Sequence, residues 1–185
     1  AVNSNLKLVA NAGTSQRIPS FTDLYLDQRP GNIGNINVES EKAFQTEIGF
    51  KYNKRNWNFN AYYFYRSITD FIDWVRLTTN EPWQAQNFGD LSTNGFNTKV
   101  TYLTNLTANQ SLKFSLSYAY LDSDFKNVDE DYNSKYKIES LKHQLINTID
   151  YQIGKTNLTV ANRYNTRQSY KSYWITDARI QHTFN

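Results

Sequence analysis

Long segments of this chain alternate apolar and polar side chains with a period of two, and that period leaves few folds open. Trp57, Phe59, Ala61, Tyr63 and Tyr65 alternate with Asn58, Asn60, Tyr62, Phe64 and Arg66. Phe44, Ile48, Phe50 and Tyr52 alternate with Gln45, Glu47, Gly49 and Lys51, and Leu112, Phe114, Leu116, Tyr118 and Tyr120 with Lys113, Ser115, Ser117 and Ala119. Phe96, Val100 and Tyr102 do the same against Asn97, Lys99 and Thr101. Successive side chains of a strand point to opposite faces, so each segment predicts a strand with one apolar and one polar face. No segment shows a convincing helical stripe.

About eight strands follow: 5–13, 43–52, 57–68, 94–104, 111–122, 141–153, 157–167 and 173–184. The connections Asn53 to Asn56, Asn105 to Gln110 and Gly154-Lys155 are short, whereas 14–42, 69–93 and 123–140 are long. Short and long connections alternate, and only 168–172 breaks the rule. In an antiparallel meander, alternate connections emerge at opposite ends, so short turns share one rim and long loops the other. Membrane barrels show this asymmetry, with short periplasmic turns and longer extracellular loops. Most of the strands reach the roughly 9–11 residues that cross a bilayer at a tilt. Lys51, Lys99, Lys113, Asp150, Arg163 and Arg179 lie on the polar faces. A dry core would penalise each of them; a wet lumen would not.

The expectation is an all-β fold, an antiparallel transmembrane β-barrel to which this chain contributes about eight strands. A closed eight-stranded barrel is one alternative. An aromatic-rich β-sandwich that binds glycans is another, since 14 Tyr, 11 Phe and 4 Trp suit a sandwich core or sugar stacking as well as a membrane boundary. No apolar run approaches the roughly 20 residues of a membrane helix. The mean hydropathy of −0.71 does not exclude a barrel, because only every second residue faces lipid. Cysteine is absent, which leaves no disulfide framework or thiolate metal site. A net charge of +3, with scattered Lys and Arg, argues against a nucleic-acid partner. The chain has no Met and opens on Ala-Val-Asn-Ser, so it reads as a piece of a longer protein. Its two outermost strands are then cut edges that need neighbours, and the piece alone is not expected to fold as a monomer.

Gly13 to Pro19 with Phe21 to Tyr25, Gly34-Asn35 to Glu41, and Glu47-x-Gly49 occur in an order and spacing that resemble the TonB-dependent outer-membrane receptors. Tyr63 to Arg66, Asp70-Phe71-Ile72 with Trp74, Asn87 followed by Gly95, Ser117 to Tyr120, and Leu141 to His143 extend the resemblance over nearly the whole chain. Ile36 and Ser40 stand where the family has prolines, and Asn97 where it usually has Glu. The resemblance is closest to the cobalamin-receptor branch. It implies that residues 1–185 are the C-terminal portion of a larger, 22-stranded barrel. The plug domain and early strands would precede this portion, and the last strands would follow it. It also implies a multi-pass protein of the cell outer membrane that takes up a scarce nutrient, cobalamin or another corrinoid first, with a siderophore or oligosaccharide receptor of the same family as the alternative. A plug would couple it to TonB; outer-membrane lipid and a surface lipoprotein are further partners.

Nothing in the sequence marks an enzyme, a cofactor or a metal centre. His143 and His182 read as rim or boundary residues, and no nucleophile motif accompanies them. Asp122, Asp124, Asp129, Glu130 and Asp131 lack the spacing and Gly of a calcium loop, and Lys126, Lys135 and Lys137 partly neutralise them, so they read as a solvated loop. The Asn-x-Ser/Thr triplets at Asn105, Asn109 and Asn157 read as turn chemistry.

The long-loop rim instead collects aromatic, Arg and amide side chains that suit a large, partly polar ligand such as a corrinoid or a siderophore. The expected ligand-binding residues are Tyr25, Arg29, Trp74, Arg76, Trp83, Gln86 and Tyr173. Asp27, Gln84, Tyr170 and Trp174 lie on the same rim. Trp57 and Tyr65 are expected in the lipid-facing aromatic girdle.

Overall fold

The computed structural model describes residues 4–129, 131–136, 141–167 and 170–184. In chain order the elements are β1 (Leu6–Arg17), α1 (Phe21–Tyr25), β2 (Asp27–Gln28), β3 (Asn32–Ile33), β4 (Glu41–Lys54), β5 (Trp57–Thr69) and β6 (Ile72–Arg76). They continue with β7 (Trp83–Asn87), β8 (Asp90–Thr107), β9 (Gln110–Lys126), β10 (Asn133–Ser134), β11 (Leu141–Ile153), β12 (Thr156–Arg167) and β13 (Tyr173–His182). Eight of these form one antiparallel sheet in the order β1-β4-β5-β8-β9-β11-β12-β13. They are the eight strands that the alternation predicts. The continuous meander replaces the sandwich alternative. Its end strands β1 and β13 are not neighbours, so the sheet is an open barrel wall and not a closed eight-stranded barrel.

The loop parity holds. Backbone bonds join Leu103 N to Asn56 O at 3.0 Å and Gly154 N to Asn109 O at 2.8 Å, so the three short turns lie along one rim. At the other rim Arg17 pairs with Glu41, Lys42 with Thr69, Asp90 with Lys126 and Leu141 with Arg167.

Register divides the sheet into two faces, because directly opposed residues share a face. One row runs Leu8, Phe50, Ala61, Thr98, Tyr118, Leu145, Tyr164, Trp174; the next toward the short turns runs Leu6, Tyr52, Phe59, Val100, Leu116. Ile48, Tyr63, Phe114, Ile149 and Val160 lie on the same face, and Ile48 is 64% exposed. In a water-soluble protein this would be an uncovered apolar wall. In a barrel it is the surface turned to lipid. The alternation breaks at mid-sheet, where Asn147 opposes Asn162 and Asn162 opposes Thr176. Thr176 Oγ1 donates to Asn162 Oδ1 at 2.8 Å, which lowers the cost of these polar groups.

Glu47, Lys51, Asn60, Lys99 and Lys113 fall on the second face. The long loops identify it as the inner one. Near their rim Ala43, Ile68, Leu91 and Phe125 line this face, and Phe71 from the β5–β6 junction packs on them. Tyr136 joins the group, with ring centroids 5.2 Å from Phe71 and 6.0 Å from Phe125. Nearly all the buried apolar side chains lie at this rim or in its loops, Val75 and Leu91 at 1% exposure among them. The sheet itself has no conventional core.

Two glycines on the inner face have steric reasons. Gly95 lies opposite Phe64, and a Cβ on Gly95 would stand 2.0 Å from the ring Cζ. Gly49 lies opposite Tyr62, where a Cβ would stand 2.3 Å from the Ala61 carbonyl oxygen. Each aromatic ring covers a glycine backbone, a device that pins register in sheets.

Candidate functional site

The three long loops are not independent. Their short strands combine into a second sheet of order β10-β6-β7-β3-β2, in which β2 and β3 come from the first loop, β6 and β7 from the second and β10 from the third. Five two- to five-residue strands from distant parts of the chain cannot hold each other by pairing alone. Side-chain latches supply the rest.

The first latch starts at α1, a five-residue helix absent from the sequence expectation. Ser20 caps it: Ser20 Oγ accepts from Asp23 N at 3.1 Å, while the Asp23 carboxylate accepts from Ser20 N at 2.9 Å. This is a capping box with Asp in place of Glu or Gln. Arg17 then bridges two buried carboxylates, Asp23 at 3.0 Å and Glu41 at 2.8 Å. Glu41 Oε1 also accepts from Ile72 N at 2.8 Å. One guanidinium therefore ties the first loop, the start of β4 and the start of β6. Gly34 N donates to Leu26 O at 2.7 Å, and a Cβ on Gly34 would stand 2.7 Å from Leu26 N. Asn87 closes the second latch. It accepts from Glu39 N at 2.8 Å and donates to Glu39 O at 3.0 Å and Asp70 O at 2.7 Å.

Asp73 forms the third latch, to the third loop. Its carboxylate accepts from Ser134 Oγ, from Tyr136 N at 3.1 Å and from Trp74 N at 2.7 Å. The side chain is buried, and desolvation raises its pKa against the opposing pull of these donors and of Lys135.

On the opposite face of β6 and β7 the loop sheet concentrates cations over aromatic rings. The Arg76 guanidinium lies 4.3 Å from the Trp83 ring centroid, and Lys135 Nζ lies 5.2 Å from Trp83 and 5.6 Å from Trp74. Lys135 Nζ also donates to Asn32 Oδ1 at 3.0 Å, and Arg76 Nη1 to Thr79 O at 3.1 Å. All four side chains are half-buried. Trp74 leans against the apolar cluster of Val38, Ile72 and Ala85. The arrangement presents flat apolar surface beside fixed positive charge, which suits a planar or anionic ligand.

The expected residues thus divide. Trp74, Arg76 and Trp83 come together, and Lys135 joins them unforeseen. Gln86 opposes Asp73 on the other face and donates to Gln84 Oε1 at 3.2 Å. Tyr25 is exposed, and its ring lies tilted against Phe21 with centroids 4.8 Å apart. Arg29 is exposed and ion-paired with Asp27 at 2.6 Å, and its hydrogen bond holds the Asp27 carboxyl below its ordinary range. Tyr173 opposes Asn165 at the start of β13, where Arg167, Tyr170 and Lys171 line a separate hollow with it. The sequence offered no signal for Lys135, whose place depends on strands more than fifty residues away. A carboxylate inside Phe71-Ile72-Asp73-Trp74-Val75 was a visible signal for a buried, hydrogen-bonded acid.

His143 Nδ1 lies 2.9 Å from Tyr118 Oη near the long-loop rim, and His182 Nδ1 lies 2.9 Å from Thr156 Oγ1 near the short-turn rim. Among the described residues, no group of three His, Cys, Asp or Glu could hold a metal ion. Glu130 and Lys137 lie outside the described residues.

An open antiparallel wall with an apolar outer face, a polar inner face and inward-folded loops on one rim defines a segment of an outer-membrane β-barrel. The family model "TonB dependent receptor-like, beta-barrel" matches residues 1–185, and the chain belongs to that family. The chain is 27% identical over 132 residues to the vitamin B12 transporter BtuB of Photobacterium profundum, covering 70% of this chain and 20% of that protein. It superposes on the FrpB iron transporter from Neisseria meningitidis (F3-3 variant) with a TM-score of 0.66 and 17% identity, covering 99% of this chain and 31% of the other. The copper transporter OprC gives a TM-score of 0.67 and 20% identity, covering 99% and 30%. The siderophore receptor PirA from Pseudomonas aeruginosa gives 0.66 and 16%, covering 100% and 32%. At these identities the solved structures show the fold alone. The chain spans 20% of its curated relative and about a third of the solved barrels.

Proposed function

We propose that this chain is the C-terminal portion of a larger, 22-stranded outer-membrane barrel that takes up a scarce nutrient, with a corrinoid such as cobalamin as the ligand. The reading includes a plug domain in the remainder of the protein, pulled by TonB, and a surface lipoprotein as a further partner. The chain provides wall and binding loops, and no catalysis.

The observation that carries the proposal is the loop sheet. Three loops latched together beside the inner face bring Trp74, Trp83, Arg76 and Lys135 to one surface. The similarity to a vitamin B12 transporter favours a corrinoid. Two cations over one indole favour the second reading, an anionic metal chelate such as a ferric siderophore.

The test is binding by the full-length receptor to cobalamin, ferric siderophores and oligosaccharides in parallel. Cobalamin binding that falls on changing Arg76, Trp83 and Lys135 together to alanine supports the corrinoid and its site. Binding that survives the triple change removes the site. Uptake of another ligand without cobalamin binding removes the corrinoid and keeps the transporter.

A further inference from the structure

Lys54 ends the outer-face column of β4 at the short-turn rim. It directly opposes Trp57, and Trp57 opposes Tyr102. The two rings meet with centroids 4.6 Å apart, yet Trp57 stays 51% exposed on the face turned to lipid. Arg55 follows in the turn at φ 51°, and Asn56 O accepts from Leu103 N at 3.0 Å, which fixes the turn beside β8. Both cations are exposed, and neither has an ion-pair partner among the described residues. One rung toward the bilayer centre, Tyr52, Phe59 and Val100 continue the same face, and the Phe50 ring lies against Phe59 with centroids 5.4 Å apart.

The charge at this end has one sign. Residues 53–56, 107–110 and 153–156, which form the short turns, include Lys54, Arg55 and Lys155 and no acid. Asp150, on the neighbouring rungs, faces inward, where it opposes Lys113 and accepts from Thr159 Oγ1 at 2.7 Å. At the long-loop end the outer face instead mixes Lys42 and Lys126 with Asp90, Asp122 and Asp124. The chemistry beside Trp57 is amphipathic. A Lys stem lies along apolar surface and lifts its ammonium to the water boundary. A guanidinium offers phosphate paired N–H donors. An indole sits where hydrocarbon meets headgroup. A free anion would use the two cations and leave the rings idle; an anion that carries acyl chains would use both.

We propose that the β4–β5 turn and the outer face beside it form a site for an anionic phospholipid of the periplasmic leaflet. Lys54 and Arg55 pair with its phosphate, Trp57 and Tyr102 flank its glycerol region, and Phe50, Phe59 and Val100 carry its acyl chains. The inference rests on the barrel wall and not on the identity of the nutrient.

The test uses the full-length receptor in vesicles of phosphatidylcholine and phosphatidylglycerol, with one lipid or the other brominated on its upper acyl carbons. The emission of Trp57 is read as the difference between the parent and Trp57→Phe. Brominated phosphatidylglycerol should quench it as strongly as brominated phosphatidylcholine does at about tenfold higher mole fraction. That preference should vanish when Lys54→Gln and Arg55→Gln are introduced together. It should also shrink as sodium chloride is added to the parent, a readout that needs no variant at the turn. Equal quenching by the two lipids in the parent, a preference that survives the double variant, or one indifferent to salt would overturn the proposal. A preference erased by inorganic phosphate at an ionic strength where chloride leaves it would overturn it too, by assigning the cations to a free anion.

Discussion

The ring of Phe64 lies against Gly95 so closely that a Cβ on the glycine would stand 2.0 Å from the ring Cζ. The Gly49 counterpart meets a backbone carbonyl, that of Ala61, at 2.3 Å. A ring can swing away, whereas a paired strand cannot. Gly95→Ala should therefore destabilise the barrel by about 1–3 kcal/mol, and Gly49→Ala by at least as much. Adding Phe64→Leu should recover part of the loss at Gly95 and none at Gly49. Denaturant unfolding of the four variants in liposomes would measure this.

The Arg17 latch leaves two buried carboxylates dependent on one half-exposed guanidinium. Arg17→Ala should weaken docking of the first and second loops by about 1–3 kcal/mol. The strands should stay intact, because the latch sits at the last paired rung of β1 and β4, at the rim. Faster proteolysis within residues 18–40 with an unchanged barrel melting point is the expected outcome; equal protease resistance would show that the latch is dispensable.

Asp73 gives the third loop a pH dependence of definite sign. Burial raises its folded pKa above the ordinary value of 3.8, so between the two values the folded loop binds more protons than the open one. Docking of residues 131–136 is strongest below the ordinary value and weakens as pH rises through the raised one. Asp73→Asn keeps acceptors for Tyr136 N and Trp74 N and should flatten this dependence. Hydrogen exchange at Tyr136, corrected for the intrinsic rate at each pH, would check it.

Position on the outer face should decide the cost of charge. Leu116→Arg should destabilise by about 2–4 kcal/mol, while Ser117→Arg on the inner face should cost little. The polar pair is the converse case. Changing Asn162 to Leu and Thr176 to Val together should be neutral or stabilising, because both partners of their hydrogen bond are replaced at once. Urea titrations in lipid vesicles would rank these variants.

The wall was legible because alternation is a local signal, clearest over 44–52, 57–66, 96–102 and 112–120. Its ends were less so: β8 and β9 run 18 and 17 residues, past the expected 94–104 and 111–122. There Asp90 to Thr93 and Ser123 to Lys126 pair above the apolar band, where no alternation is needed. Ser20 with Asp23 was an available sign of α1. The loop sheet was not legible. β2, β3 and β10 have two residues each, and their pairing is set by Glu41, Asn87 and Asp73, whose partners are distant in sequence. Trp74, Arg76 and Trp83 could be named as rim residues; that they meet Lys135 is a property of the assembled loops.

The division of the wall into a lipid face and a wet face is tested most directly by spin labels at Phe114 and Lys113, neighbours on β9 in a chain without cysteine. In the full-length receptor in lipid, the label at 114 should collide with oxygen and be shielded from an aqueous nickel chelate. The label at 113 should show the reverse. Equal access of the chelate to both positions would contradict the barrel wall.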